Sequence, residues 1–316
     1  MDERRYNEDE VNTIFERAAE AQQAVRRALP PGVGMTLADL RAIGREVGIP
    51  AELVDQAAKI GLEALAICDH DTFAGYDQAV SAASAAGVDL VCGIELSTRL
   101  FSPKERAVHL LGYFLRKAPS ADFRAWLEEV QVQRRDRNRR LIEKLQAAGL
   151  DIQLSEVEQV GRSLTGRPHF ARVLVRKGYA ANTEEAFRKY LDESAPYYVE
   201  RESPSVSEGI QKILAGGGLP VLAHPIRLGI RDPIREEMLI GELQQAGLRG
   251  LEVFHSDHQR SDVARYANLA QTHRLAVTGG SDFHGDVRPQ VALGTGFNKN
   301  LKIPRSILDC LREISN

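Results

Sequence analysis

Cysteine is scarce in this 316-residue chain: Cys68, Cys92 and Cys310 are an odd number with no metal-like spacing. Cys68 and Cys92 lie inside apolar runs, which predicts reduced core thiols in a cytoplasmic protein and no disulfide framework. No run approaches the roughly 18 apolar residues of a membrane span. The first ten residues, MDERRYNEDE, hold no apolar stretch, so no secretory signal peptide is expected. Charge of one sign is lacking too. Lys+Arg 41 against Asp+Glu 44 leaves a formal net charge of -3, which argues against bulk coating of nucleic acid but allows a local basic pocket. No internal repeat or low-complexity segment stands out. No histidine precedes His70.

A hydrophobic content of 43% suits one large α/β domain with an added subdomain, or two domains. Residues 1–49 are predicted to be a helical segment. Asn7 and Glu10 have capping-box spacing, Val11, Ile14, Phe15 and Ala18 repeat at helical intervals, and LPPGVG breaks the pattern. Pro50 suits the first turn of a further helix that stops at Gly61. Short apolar runs then alternate with helical stretches. LEALAICD, VDLVCGIE, VHLLGYF, LPVLAH, LRGLEVFH and LAVTGGSD are the expected buried strands. Alternation of this kind favours a parallel sheet closed into a barrel. It lapses over 118–204, where DFRAWLEEVQVQRRDRNRRLIEKLQAAG opens a predicted helical insertion. The expected organisation is therefore 1–49 helical segment, 50–117 first part of the barrel, 118–204 insertion, and 205–316 second part.

Chemistry-bearing residues gather at the predicted strand ends. Asp69, His70 and Asp71 end the first strand, Glu95 the second, His224 the fourth and His255 the fifth, while Asp282 and His284 follow the last. In a β/α barrel these ends share one mouth, where catalytic groups collect. Imidazoles and carboxylates converging there suit Zn, Mn or Fe. His109 differs, because it lies near the start of its strand. A single histidine in such a chain is more often a hydrogen-bonded structural residue. Five of eight at or just beyond six apolar strands favour a metal site.

The strings ALAICDHDTFAG, VCGIELS, VHLLGYF, GGLPVLAHP, GLEVFHSDH and GGSDFHG resemble the successive motifs of the PHP (polymerase and histidinol phosphatase) family. Within the insertion, RRDRNRRLIEKL, GRPHFARVLV and AFRKYLDESAPYYV resemble the branch that hydrolyses nucleoside 3',5'-bisphosphates and short oligonucleotide ends. The resemblance implies a distorted (β/α)7 PHP barrel and a phosphoesterase that uses divalent Mn, Zn or Fe. It implies metal ligation by His70 with His284, a bridging Glu95, a second position completed by His109 and His224, and a third at Asp282. His255 is implied as a ligand or a contact to substrate phosphate, and Asp69 and Asp71 as groups orienting His70. The chemistry implied is attack on phosphorus by a hydroxide held between metals. Arg134, Arg135, Arg167 and His169 are the candidate substrate-binding residues, because guanidinium grips phosphate through paired hydrogen bonds. The expected partner is a nucleotide or short oligonucleotide, with no membrane and no stable duplex binding.

One family feature is absent. The family's opening strand, with its His-x-His, belongs where this chain has GMTLADLRAIGREVGI, residues 34–49. Two imidazoles and one carboxylate are missing, so fewer than the family's three metals are expected. The competing expectation is a degenerate PHP scaffold that binds nucleotides without turnover.

Overall fold

A computed structural model describes residues 50–101, 105–161, 165–200, 203–285 and 288–315. The helices expected within 1–49 lie outside the described residues. Helix α1, Pro50–Lys59, opens the described chain. Strand β1, Ala64–Ile67, follows, then α2, Ala74–Ala86, closed by Gly87 at φ 67°. Only a residue without a Cβ turns left-handed there at no cost. Strands β2, Asp89–Phe101, and β3, Glu105–Phe114, come next. The insertion supplies α3, Ala121–Ala147, α4, Leu154–Gly161, α5, Arg167–Arg176, and α6, Thr183–Ala186, the last running into a π-turn over Phe187–Leu191. The chain then returns through α7, Val206–Ala215, β4, Leu219–Leu222, α8, Pro233–Gln245, β5, Gly250–His255, α9, Arg260–Thr272, and β6, Ala276–Gly280. A small ribbon, β7 Val291–Ala292 with β8 Gly296–Phe297, precedes the final helix α10, Ser306–Ile314.

All six expected strands form, in one sheet of order β1-β2-β3-β4-β5-β6. The expected parallel pairing dominates, but β3 runs antiparallel to both β2 and β4. Only the β1/β2, β4/β5 and β5/β6 pairs are parallel. This reversal accounts for His109. The start of an antiparallel strand lies beside the C-terminal ends of its neighbours, so His109 sits across from Ser97 of β2, and its carbonyl accepts from Ala223 just beyond β4. Glu95 also departs from expectation: it lies inside β2, which continues to Phe101.

Alternation sorts the sheet residues onto two faces. Cys92, Ile94, Leu96, Val108, Leu110, Leu222, Leu251 and Val253 belong to a large core with Ile210 and Ile213 of α7, Leu239 and Ile240 of α8, and Tyr266 of α9. Gly209 of α7 lets that helix approach closely, since a Cβ there would stand 2.7 Å from Thr98. Val91, Leu111, Tyr113, Val221 and Ala223 form a second cluster with Leu311 of α10. Val91 shares its face with Glu95, and Leu111 and Tyr113 share theirs with His109, so α10 floors the face that carries the site. Asp89 fastens that floor through Arg305 and through two bonds of 2.8 Å from Arg312.

The insertion has its own core, from Leu141 to Leu191, including Phe170 and Leu174. Helix α3 serves both cores. Its first turns place Phe123 and Leu127 among the sheet's helices, while Leu141, Ile142 and Leu145 enter the insertion.

Candidate metal centre

Backbone pairing continues past the end of β1. The Glu95 amide donates to Asp69 and the Asp71 amide donates to Glu95, both at 3.0 Å, which sets His70 directly opposite Glu95. Glu95 Oε1 then lies 2.6 Å from His109 Nδ1 and 3.0 Å from His224 Nε2, and Oε2 lies 3.7 Å from His70 Nε2. The two imidazole nitrogens facing Oε1 are 3.3 Å apart. Three rings from three strand ends thus surround one buried carboxylate. One donor atom each from His70, Glu95 and His109 fits within 4.8 Å.

The electrostatics suit ligation. Burial opposes ionisation of Glu95, but His70, His109 and His224 outweigh it and hold the carboxyl well below its usual range. Burial lowers the pKa of His70 and of His224, favouring neutral rings with lone pairs to offer. His70 Nδ1 is buried with no hydrogen-bond partner among the described residues. An oxygen-and-imidazole set of this kind fits Zn, Mn or Fe, so the residues present match a divalent metal.

The other side of the mouth is built differently. Asp282, at φ 53°, receives Arg227 Nη2 at 2.6 Å and Arg288 Nη1 at 2.8 Å on one oxygen. The same arginines reach Asp257, Arg227 through Nε at 3.0 Å and Nη2 at 2.7 Å, Arg288 through Nη2 at 2.9 Å. Burial raises the Asp282 pKa, yet His255, His284 and Arg227 together pull it well below the carboxylate range. His255 is fully buried; its Nδ1 accepts from the Asp257 amide at 3.0 Å, and its Nε2 lies 3.6 Å from Asp282. His284 Nδ1 bonds the Asp282 carbonyl at 2.9 Å, and its ring lies 6.2 Å from that of His70.

The aspartates flanking His70 bond to groups other than its ring. Asp69 accepts from the Gly75 amide at 2.9 Å, tying down the first turn of α2. Asp71, wholly buried at φ 50°, accepts from the Ser97 amide at 2.7 Å and pairs with Arg134. Gln131 of α3 donates to the Asp71 carbonyl at 2.7 Å. Together with His224 at φ 27°, the site holds three non-glycine residues in the left-handed region. Such backbone is strained and persists only where its surroundings over-determine it.

The four residues predicted to bind substrate are spread apart. Arg134 is buried against Asp71 and Ser97. Arg135 is exposed and faces Glu158 of α4 at 3.8 Å. Arg167 stacks 5.9 Å over Tyr198 within the insertion. His169 is half-buried with Nδ1 accepting from the Gly166 amide at 2.9 Å; burial lowers its pKa, with further lowering by Arg172, Arg134 and His70.

Sequence reasoning missed Glu252, Arg227, Arg288 and Asp257. Glu252 accepts from the His224 amide at 2.7 Å, and burial pushes its pKa up to about 8. Its signal was present, as the one carboxylate inside the apolar string GLEVFH.

A curled α/β sheet with imidazoles and a carboxylate gathered at one end defines a metal-dependent hydrolase. The model of the PHP domain matches residues 47–201. A 3',5'-nucleoside bisphosphate phosphatase of Chromobacterium violaceum is 32% identical over 239 residues, covering 74% of this chain and 81% of that protein. A 5'-3' exoribonuclease of Haemophilus influenzae is 30% identical over 235 residues, 74% of this chain and 84% of its own. Among solved structures, a protein described as a metal-dependent phosphoesterase of Bifidobacterium adolescentis superposes with a TM-score of 0.68 at 32% identity, covering 84% of this chain and 89% of that one. The chain belongs to the PHP-domain family.

Proposed function

We propose that this chain is a metal-dependent phosphoesterase that hydrolyses phosphate esters of nucleotides or short RNA, with nucleoside 3',5'-bisphosphates as the favoured substrate. The observation that carries the reading is the buried Glu95 carboxylate ringed by His70, His109 and His224. Relatives acting on RNA ends and on a nucleoside bisphosphate support the substrate class.

His70, Glu95, His109 and His224 would hold the metal. A bound divalent ion supplies Lewis-acid polarisation of the phosphoryl group and activation of water at neutral pH. The chain's own residues do the rest. Glu252, with a pKa near 8, keeps its proton at neutral pH and adds no further negative charge beneath an anionic substrate. Its bond from the His224 amide fixes the strained turn that aims the imidazole. Arg134 holds Asp71, and through it the loop that presents His70 to Glu95. His169, on the helix that follows Gly166, is the proposed substrate contact from that side, its pKa lowered by burial and in part by Arg134 and His70.

The test is release of inorganic phosphate from a nucleoside 3',5'-bisphosphate by purified protein with added Mn. Release that Glu95→Gln abolishes supports the proposal; absence of hydrolysis across bisphosphates and short RNA overturns it. A second reading, a nucleotide-binding scaffold without turnover, is favoured by one observation: Asp282 is already bonded by two arginines. Nucleotide binding without phosphate release in the same assay would select it.

A further inference from the structure

Resting on the phosphoesterase reading, we infer that the Asp282 end of the mouth takes its positive charge from the Arg227–Arg288 pair instead of a metal ion. This pair is the anchoring pole for a substrate phosphoryl group. Three observations converge. One oxygen of Asp282 is bonded by both guanidinium groups, and Asp257 closes the ring with further bonds to the same two side chains. A dication at Asp282 would have to displace or abut two fixed positive charges.

The second observation is the hydrogen bonding of His255. Its Nδ1 accepts the Asp257 amide, so the neutral ring carries its proton on Nε2, the atom that faces Asp282. A protonated nitrogen has no lone pair for a metal. In that tautomer His255 turns an N–H rather than a lone pair towards Asp282, 3.6 Å away and with no hydrogen-bond partner among the described residues. Third, none of residues 1–69 is a histidine.

The arginines suit an anion. Their side chains stay 36% and 24% exposed while their partners hold them in place. Arg227 follows His224 by one short turn, Pro225–Leu228, so the cationic pole adjoins the metal ligands. One oxygen of a phosphoryl group at the metal and another at the guanidinium pair would span the mouth. Paired fork geometry of this kind recognises phosphate with defined orientation.

Metal-free protein reloaded with Mn and analysed by mass spectrometry tests the metal half; calorimetric titration with inorganic phosphate tests the anion half. Asp282→Asn is the discriminating variant, because Asn tolerates positive φ and removes only the charge. We expect wild type and Asp282→Asn each to bind about one equivalent of Mn, and Glu95→Gln to bind almost none. Arg227→Gln/Arg288→Gln should keep the metal but weaken phosphate binding about tenfold or more; a thermal melt confirms folding, and Arg227→Lys/Arg288→Lys should recover only part of the affinity. Two equivalents in wild type, with one lost in Asp282→Asn, overturn the inference and leave the phosphoesterase reading intact. Unchanged phosphate affinity in the folded Gln variant also overturns it. A wild-type chain that binds no Mn at all overturns the phosphoesterase reading itself.

Discussion

The two sides of the mouth carry similar residues in opposite electrostatic conditions. On the Glu95 side, one carboxylate faces three imidazoles from β3 and the ends of β1 and β4. On the Asp282 side, two carboxylates are matched by two guanidinium groups. The first arrangement keeps lone pairs available for a cation; the second has already satisfied its charge with protein cations. Two histidine-rich stretches of one family pattern can therefore do different work, and the difference lies in which side chains the intervening loops deliver.

The sharpest break in the comparison comes from Glu95. Glu95→Gln keeps the size and removes the charge that faces all three rings, so turnover should fall about 1000-fold or more, with metal content falling alongside. Arg134→Leu should instead strike stability. It removes the guanidinium paired with the wholly buried Asp71, a loss of about 3 kcal/mol by chemical denaturation. A variant as stable as wild type would show that the α3 contact is dispensable. On the arginine side, Arg227→Gln should raise KM about tenfold with a smaller change in kcat, since it removes substrate binding rather than the ion. A fall in kcat alone would place Arg227 with the ligands.

The smallest effect concerns the floor. Bonds from Arg312, reinforced by Arg305 and opposed by burial, hold the Asp89 carboxyl below its ordinary range. A depressed carboxyl contributes stability above the unfolded value, near pH 4, and loses it as pH falls through the folded value. Asp89→Asn should therefore cost up to about 1 kcal/mol at neutral pH, discounted because all three side chains are partly exposed. Melting curves of wild type and variant should converge in acid; a gap that persists at pH 2 would mean that packing, not charge, is lost.

Much of this arrangement was legible in the sequence. The six apolar strings mark the six strands, and the histidines and carboxylates at their ends mark the mouth. The direction of β3 was not, because periodicity gives a strand's faces and not its sense. His109 at the start of its run was the one hint. Arg134 shows a second limit. It stands among several arginines on one helix, and only packing decides that it turns inward to Asp71 while Arg135 turns out to Glu158. Arg227, Arg288 and Asp257 lie in loops after strand ends, where sequence spacing carries no contact information. Glu252 was readable, as a lone acid in an apolar strand needs a buried partner.

The β2–β3 hairpin has a consequence for how the centre comes into being. Glu95 and His109 sit on adjacent arms of one local turn, and they can meet as soon as that hairpin closes. His224 arrives only after a separation of 129 residues. Because short-range contacts form faster than long-range ones, half of the proposed metal cradle would be ready while most of the sheet is still being assembled. A divalent ion present during synthesis would find this two-donor clasp first, and the remainder of the chain would close around it.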